Sequence, residues 1–181
     1  MERIVNGTKI KFCLGDITDQ QVAAVVNAAN NSLLGGAGVD GAIHRVGGPA
    51  ILAECKKVRA RQGGCPTGEA VITTGGNLPA EYVIHTVGPI WQGGGEGEAG
   101  LLQDCYLNSL KLAVSKGISS IAFPAISTGA FGYPKKEAAE IALAAVREFL
   151  QSKAGEKIAE VRFVLYHQDD LNIYLRCWEE I

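Results

Sequence analysis

Short runs rich in Val and Ile alternate along this chain with segments of helical length and period, and this alternation constrains the fold more than any other feature. Residues 10–14, 24–26, 70–73, 82–87, 120–123 and 161–166 read as strands, with Gly, Pro, Asn or Asp close to their ends. Leu101, Leu102, Cys105, Tyr106, Leu110 and Ala113 fall on one stripe of a helix that Gly117 ends, just after Lys116 in its last turn. A further helix is predicted over residues 134–150, with Pro134 at its first position and Ala138, Ile141, Ala142, Ala145, Val146 and Phe149 on its buried face. Such alternation predicts an α/β fold, a sheet covered by helices on both sides. The glycine-rich stretch 91–100 reads as a flexible surface loop, because the alternation resumes after it with no change in composition. One domain spanning residues 1–181 is expected.

Composition narrows the function classes. Apolar runs are only a few residues long and the first residues (MERIVNGTKIKFC) lack the segments of a signal peptide, so a soluble, cytoplasmic protein without membrane contact is expected. The five cysteines, Cys13, Cys55, Cys65, Cys105 and Cys177, are odd in number and show no C-x-x-C pair. They signal neither a disulfide framework nor a zinc site, and no metal or cofactor is expected. A formal charge of −2 argues against a surface that tracks nucleic-acid phosphates, which leaves a small ligand as the expected partner.

Gly36-Ala37-Gly38-Val39-Asp40-Gly41 satisfies the G-x-G-x-x-G pattern. A dinucleotide fold would also need an acidic residue at the end of a second strand about 20 residues on, and a P-loop would need a Lys-Ser/Thr pair; neither follows. Taken alone, these glycines are explained by a helix packing close to a sheet. A second loop, AISTGAFGYP (residues 125–134), joins a strand directly to a helix N-terminus. Residues 27–44 and 125–134 hold no Lys and only one cation-forming group, His44, so a phosphate held between the two loops would rest mainly on backbone N–H groups and helix dipoles.

The polar residues nearby have two readings each. Asp16 and Asp40 stand where helix N-caps are common. Asn27 and Asn30 are turn formers by default, yet a pair of them before a glycine loop suits hydrogen bonds to sugar hydroxyls. His44, one turn beyond Asp40, reads as a packing residue. Phe131, in a glycine-rich loop with little core to fill, suits a residue that covers a ligand.

In order along the chain, GDIT (residues 15–18), VVNAANNSLLGGAGVDGAIHR (25–45), LPAEYVIHTVGP (78–89) and FPAISTGAFGYP (123–134) together strongly resemble the macrodomain family, closest to its bacterial O-acetyl-ADP-ribose deacetylase branch, related to the MacroD-type ADP-ribosylhydrolases. The resemblance implies a three-layer α/β/α sandwich with a mixed central sheet and an ADP-ribose cleft at the C-terminal edge of the strands. It implies that Asp16 accepts from the adenine amino group beside the Ile17 N–H and that Tyr166 stacks on adenine. Gly38, Val39, Ser127, Thr128, Gly129, Ala130 and Phe131 match positions that wrap the phosphates and distal ribose. Asn30 and Asp40 match the pair that orients the ribose hydroxyls and positions or deprotonates a water. Ala37 departs from the pattern, standing where many members have a fourth glycine.

The implied reaction is hydrolysis of an ester on the distal ribose, in O-acetyl-ADP-ribose or in a protein mono-ADP-ribosylated on Asp or Glu; a monomer is expected. A module that binds ADP-ribose without turnover would need Asp16, the loops and Tyr166 but not Asn30 and Asp40 together. A regulatory protein with a partner on its outer helices is the other alternative, and no sequence feature marks such a surface.

Overall fold

The Val- and Ile-rich runs pair into one seven-stranded sheet in the computed structural model, which describes residues 1–181. The strands are β1 (Glu2–Val5), β2 (Thr8–Leu14), β3 (Ala24–Ala28), β4 (Ala70–Thr74), β5 (Tyr82–Thr86), β6 (Ser120–Phe123) and β7 (Glu160–Leu165), and the helices are α1 (Gly38–Gly47), α2 (Pro49–Gln62), α3 (Glu98–Ser115), α4 (Lys135–Leu150) and α5 (Gln168–Glu180). Their order across the sheet is β1-β2-β7-β6-β3-β5-β4. The five inner strands are parallel, and β1 and β4 pair antiparallel at the two edges, so the sheet is mixed. No helix is long and apolar enough to cross a membrane.

Alternate side chains divide the core between the two faces, as the period of two in a strand requires. Ile10, Phe12, Val26, Ile84, Ile121, Phe123, Val161 and Phe163 pack with α3, α4 and α5. Val25, Val83, Ala122 and Val164 face α1 and α2. The result is the expected α/β/α sandwich. Four of the five alanines of α4 (Ala138, Ala139, Ala142 and Ala145) are buried, while Ile141 is only partly covered.

Several local outcomes differ from expectation. β1 was not anticipated: it is four residues long, lies at an edge and buries no residue fully. Pro134 is the N-cap of α4 rather than its first residue, with an extended ψ of 128°. The loop after β5 is organised rather than loose. Glu98, the first residue of α3, accepts from the N–H groups of Gln92, Gly94 and Glu96 at 2.9, 2.9 and 2.6 Å. The root of that loop is tied to the loop after β6, since Trp91 N–H donates to Phe131 C=O (2.8 Å) and the Trp91 ring lies 4.7 Å from that of Tyr133.

The amide donors, Gln92 foremost, hold the Glu98 carboxyl down to about 2, from an ordinary value near 4.5. A carboxyl depressed in the fold stabilises it fully above the unfolded value, and that contribution disappears as pH falls through the folded value. Glu98→Gln, which turns an NH2 towards amide donors, is therefore expected to be less stable at pH 7 and to lose less stability than the parent between pH 4.5 and 2, measured by urea unfolding. Equal stability of the two proteins at pH 7 would contradict this account.

Candidate functional site

Because the five inner strands are parallel, their C-terminal ends share one edge, where open α/β sheets form their ligand crevices. β3 pairs with β6, which brings the loop before α1 next to the loop before α4. Ala37 caps α1 in an extended conformation (φ −95°, ψ −176°), so its Cβ needs no left-handed backbone, and the departure from glycine is accommodated. No side chain caps this helix, and the N–H groups of Gly38, Val39 and Asp40 have no protein acceptor. In the second loop Ser127 adopts a left-handed φ of 66°. Tyr133 N–H donates to Ser127 C=O and Gly132 N–H to Gly129 C=O, while the N–H groups of Ser127, Thr128, Gly129, Ala130 and Phe131 have no acceptor within the protein. Two neighbouring sets of unpaired amides, one at a helix N-terminus, suit an anion.

Farther along the same edge, β2 and β7 are paired and Gly15 N–H donates to Leu165 C=O (2.9 Å), so Asp16 and Tyr166 leave adjacent strand ends. Asp16 is an N-cap, as its default reading had it: Oδ1 accepts from Thr18 N–H (2.9 Å) and Thr18 Oγ1 (2.7 Å) at the start of a 3-10 turn, Ile17–Asp19. Both bonds use Oδ1. Oδ2 and the Ile17 N–H make no bond within the protein, so capping leaves an acceptor and a donor side by side for a ligand. Tyr166 is 71% exposed and touches His167 edge-on, with ring centroids 5.1 Å apart.

Asp40 is not an N-cap. It is the third residue of α1, turned towards the sheet and only 4% exposed. Its Oδ1 accepts from Asn27 Nδ2 (2.8 Å) and lies 3.3 Å from His44 Nε2, one helical turn on, so His44 contacts the carboxylate instead of merely filling space. Asp40 Oδ2 has no partner. A Cβ on Gly36 would lie 3.1 Å from that oxygen and 2.6 Å from Asn30 Nδ2. The glycine thus lets the loop cross close to both side chains. Asn30 Nδ2 donates to Gly35 C=O (3.1 Å), which fixes the amide at the end of β3.

Asn27 departs from its expected role. It has no exposed surface, and its Nδ2 is committed to Asp40 and to His85 Nδ1 (3.0 Å), its partner in the β3–β5 register. It offers nothing to a sugar in the cleft and instead holds Asp40. His85 is equally buried, with Nε2 2.9 Å from Thr73 Oγ1. The sequence reading missed His85; its signal was a lone titratable residue in an otherwise apolar strand, YVIHT.

A model of the Macro domain family matches residues 26–142, and the chain belongs to that family. It is 57% identical over 173 residues to a macro domain-containing protein of Caldanaerobacter subterraneus, covering 96% of this chain and 97% of that one. It is 55% identical over 169 residues to the O-acetyl-ADP-ribose deacetylase of Escherichia coli strain K12, covering 93% and 94%. The solved macrodomain of Oceanobacillus iheyensis with ADP matches this fold with a TM-score of 0.94 at 44% identity, covering 99% and 95% of the two chains.

Burial, with the nearby His44 adding to it, pushes the His85 imidazole down to about 3, so the ring is neutral at working pH. The sign of its effect on stability follows. Above an ordinary value near 6.5 both folded and unfolded forms are neutral; below it the unfolded chain takes a proton that the fold refuses. Stability from this residue is complete above pH 6.5 and falls as pH drops towards 3, with a slope approaching about 1.4 kcal/mol per pH unit. His85→Asn is expected to show a shallower loss between pH 6.5 and 5 in urea unfolding, and identical slopes would refute the buried neutral imidazole.

Proposed function

We propose that this chain hydrolyses the ester on the distal ribose of O-acetyl-ADP-ribose, releasing acetate and ADP-ribose, and that the same site removes mono-ADP-ribose from Asp and Glu side chains of proteins. The observation that carries the reading is the Asp40 carboxylate: one oxygen is bonded inside the protein, and the other, buried under the Gly36 loop near the Asn30 amide, has no partner. Simple retention of ADP-ribose calls for no such group. The deacetylase names of relatives about 55% identical support the reading.

The ligand lies along the sheet edge. Adenine stacks on Tyr166, its amino group donating to Asp16 Oδ2 and a ring nitrogen accepting from Ile17 N–H. The diphosphate takes the free amides of Gly38 and Val39 on one side and of Ser127 to Ala130 on the other, with Phe131 covering the distal ribose. Asn30 keeps one N–H and its carbonyl for the ribose hydroxyls. A water held by Asp40 Oδ2 attacks the acetyl carbonyl carbon as the carboxylate takes its proton. The tetrahedral intermediate collapses with cleavage of the bond to the ribose oxygen, which recovers the proton. The step involves no change of oxidation state, and no three His, Cys, Asp or Glu side chains gather as metal ligands.

Asp40→Ala is expected to lower the single-turnover rate on O-acetyl-ADP-ribose by about 10²–10⁴-fold. It should leave ADP-ribose affinity within roughly tenfold, because the lost interaction belongs to the transition state. Its stability falls by about 1–3 kcal/mol, since Asn27 Nδ2 loses its buried acceptor. Near-normal turnover in the folded variant would remove Asp40 from the reaction, and a parent protein that binds ADP-ribose without releasing acetate would make the site a reader.

Gly129 has open space where a side chain would begin and no left-handed backbone, so Gly129→Glu is expected to fold normally. A carboxylate in the phosphate loop should abolish ADP-ribose binding by charge repulsion. Calorimetry showing undiminished affinity would move the diphosphate elsewhere.

A further inference from the structure

Asp40 is the visible end of a longer buried chain of hydrogen bonds. From Asp40 Oδ1 it runs 2.8 Å to Asn27 Nδ2, 3.0 Å on to His85 Nδ1, from His85 Nε2 2.9 Å to Thr73 Oγ1, and 3.0 Å to Thr74 C=O. Every hydrogen in it can be assigned. A carboxylate only accepts, so the Asn27 atom facing it is the NH2 group, and the same nitrogen faces His85 Nδ1. Nδ1 is therefore the acceptor, and the ring proton sits on Nε2, where Thr73 Oγ1 receives it. The Thr73 hydroxyl hydrogen goes to the Thr74 carbonyl, which can only accept. Nearby, Cys55 Sγ lies 3.7 Å from Nε2 and its thiol is pushed up to about 11 by burial, so it adds no charge to the chain.

Nothing about packing calls for this arrangement. Val25 and Val83 occupy the same face of the same two strands two residues earlier, and an apolar pair at 27 and 85 would fill the layer without burying polar groups. We infer that His85 is a positioning residue for hydrolysis: by accepting from the Asn27 amide it prevents that amide from turning its oxygen to Asp40, and so keeps Oδ1 bonded and Oδ2 free for the water. This role rests on the hydrolytic reading of the cleft. Without the imidazole acceptor, the Asn27 NH2 loses one of its two partners, and rotation of the amide would set its oxygen against the carboxylate.

Steady-state hydrolysis of O-acetyl-ADP-ribose, calorimetry with ADP-ribose and ¹⁵N NMR of the imidazoles test it together. His85→Phe is expected to lower kcat by about 10–100-fold, the range seen when an outer partner that orients a reactive group is lost. KM and ADP-ribose affinity should stay within about threefold, because no ligand contact changes. His85→Asn, which can present an amide oxygen where Nδ1 was, should recover most of the rate. In an Asp40→Ala background His85→Phe should cost nothing further, as expected of residues acting through one group. In the parent protein the NMR signals should show neutral, Nε2-protonated His85. An Nδ1-protonated ring overturns the inference without any variant, as does a folded His85→Phe with unchanged kcat or with its full loss retained beside Asp40→Ala. If Asp40→Ala itself turns over normally, the hydrolytic reading of Asp40 fails; if it is inactive while His85→Phe is normal, only the role of His85 fails.

Discussion

A carboxylate kept nearly dry at the end of a parallel sheet sets the terms for what surrounds it. Removing an ionised carboxylate from water costs several kcal/mol unless its oxygens are bonded. Asp40 answers this at Oδ1, with side-chain contacts from Asn27 and His44, and with its place in the first turn of α1, where the helix dipole favours a negative charge; the buried Oδ2 is left without a partner in the protein. Each contact fixes another element. Asn27 ties Asp40 to β3, the register Asn27↔His85 ties β3 to β5, and Thr73 ties β5 to the antiparallel edge strand β4. The glycines then follow from clearance. Gly36 passes close to Asn30 and Asp40, and a Cβ on Gly41 would lie 2.6 Å from the Gly36 carbonyl oxygen. These residues are small because the loop and the first turn of α1 approach the carboxylate's neighbours closely.

The side of the cleft proposed to hold the diphosphate has no Lys or Arg. Its donors are backbone amides, whose directions are set by the fold, so shape and not net charge selects what binds. That is consistent with a protein of formal charge −2. Amides aimed from two loops are useful only if the loops hold still. The second loop is secured through the Trp91 N–H bond to Phe131 C=O, and the segment after Trp91 is in turn gathered on Glu98 at the start of α3. Glu98 therefore bears on the geometry of the loop before α4.

How much of this could be read from the sequence depends on whether the information was local. Strands β2 to β7 were legible from their β-branched residues, and α3 and α4 from stripes of apolar residues. β1 was not, because an edge strand that alternates exposed and half-covered residues carries no hydrophobic signal over four positions. α5 was also missed: Tyr174 and Cys177 are its only buried residues, interspersed with charged ones. Asp16 was readable as a cap, but its spare oxygen beside the Ile17 N–H is a property of three dimensions. The roles of Asp40 and Asn27 were ambiguous for the same reason. Both residues look like turn or cap formers in a sequence window, and only the strand register brings Asn27 against His85, 58 positions away. His44 reads as a packing residue in a sequence window, although its distance of four residues from Asp40 already places both on one helix face.

The site is divided between the two halves of the sheet. Asp16 and Tyr166 stand at the ends of β2 and β7, and the loop before α4 follows β6. Asn27, Asn30, Asp40, His44 and His85 belong instead to β3, β5 and the segment through α1, on the side of the molecule faced by α1 and α2. If the proposed reaction holds, grip and chemistry are therefore carried by different strands, meeting where β6 pairs with β3. On that reading, a change at Asn27, Asp40 or His85 alters hydrolysis while leaving the Asp16, Tyr166 and Ser127–Phe131 surfaces in place. On the proposed reading, the buried polar chain behind Asp40 is what adds turnover to a surface that would otherwise only bind.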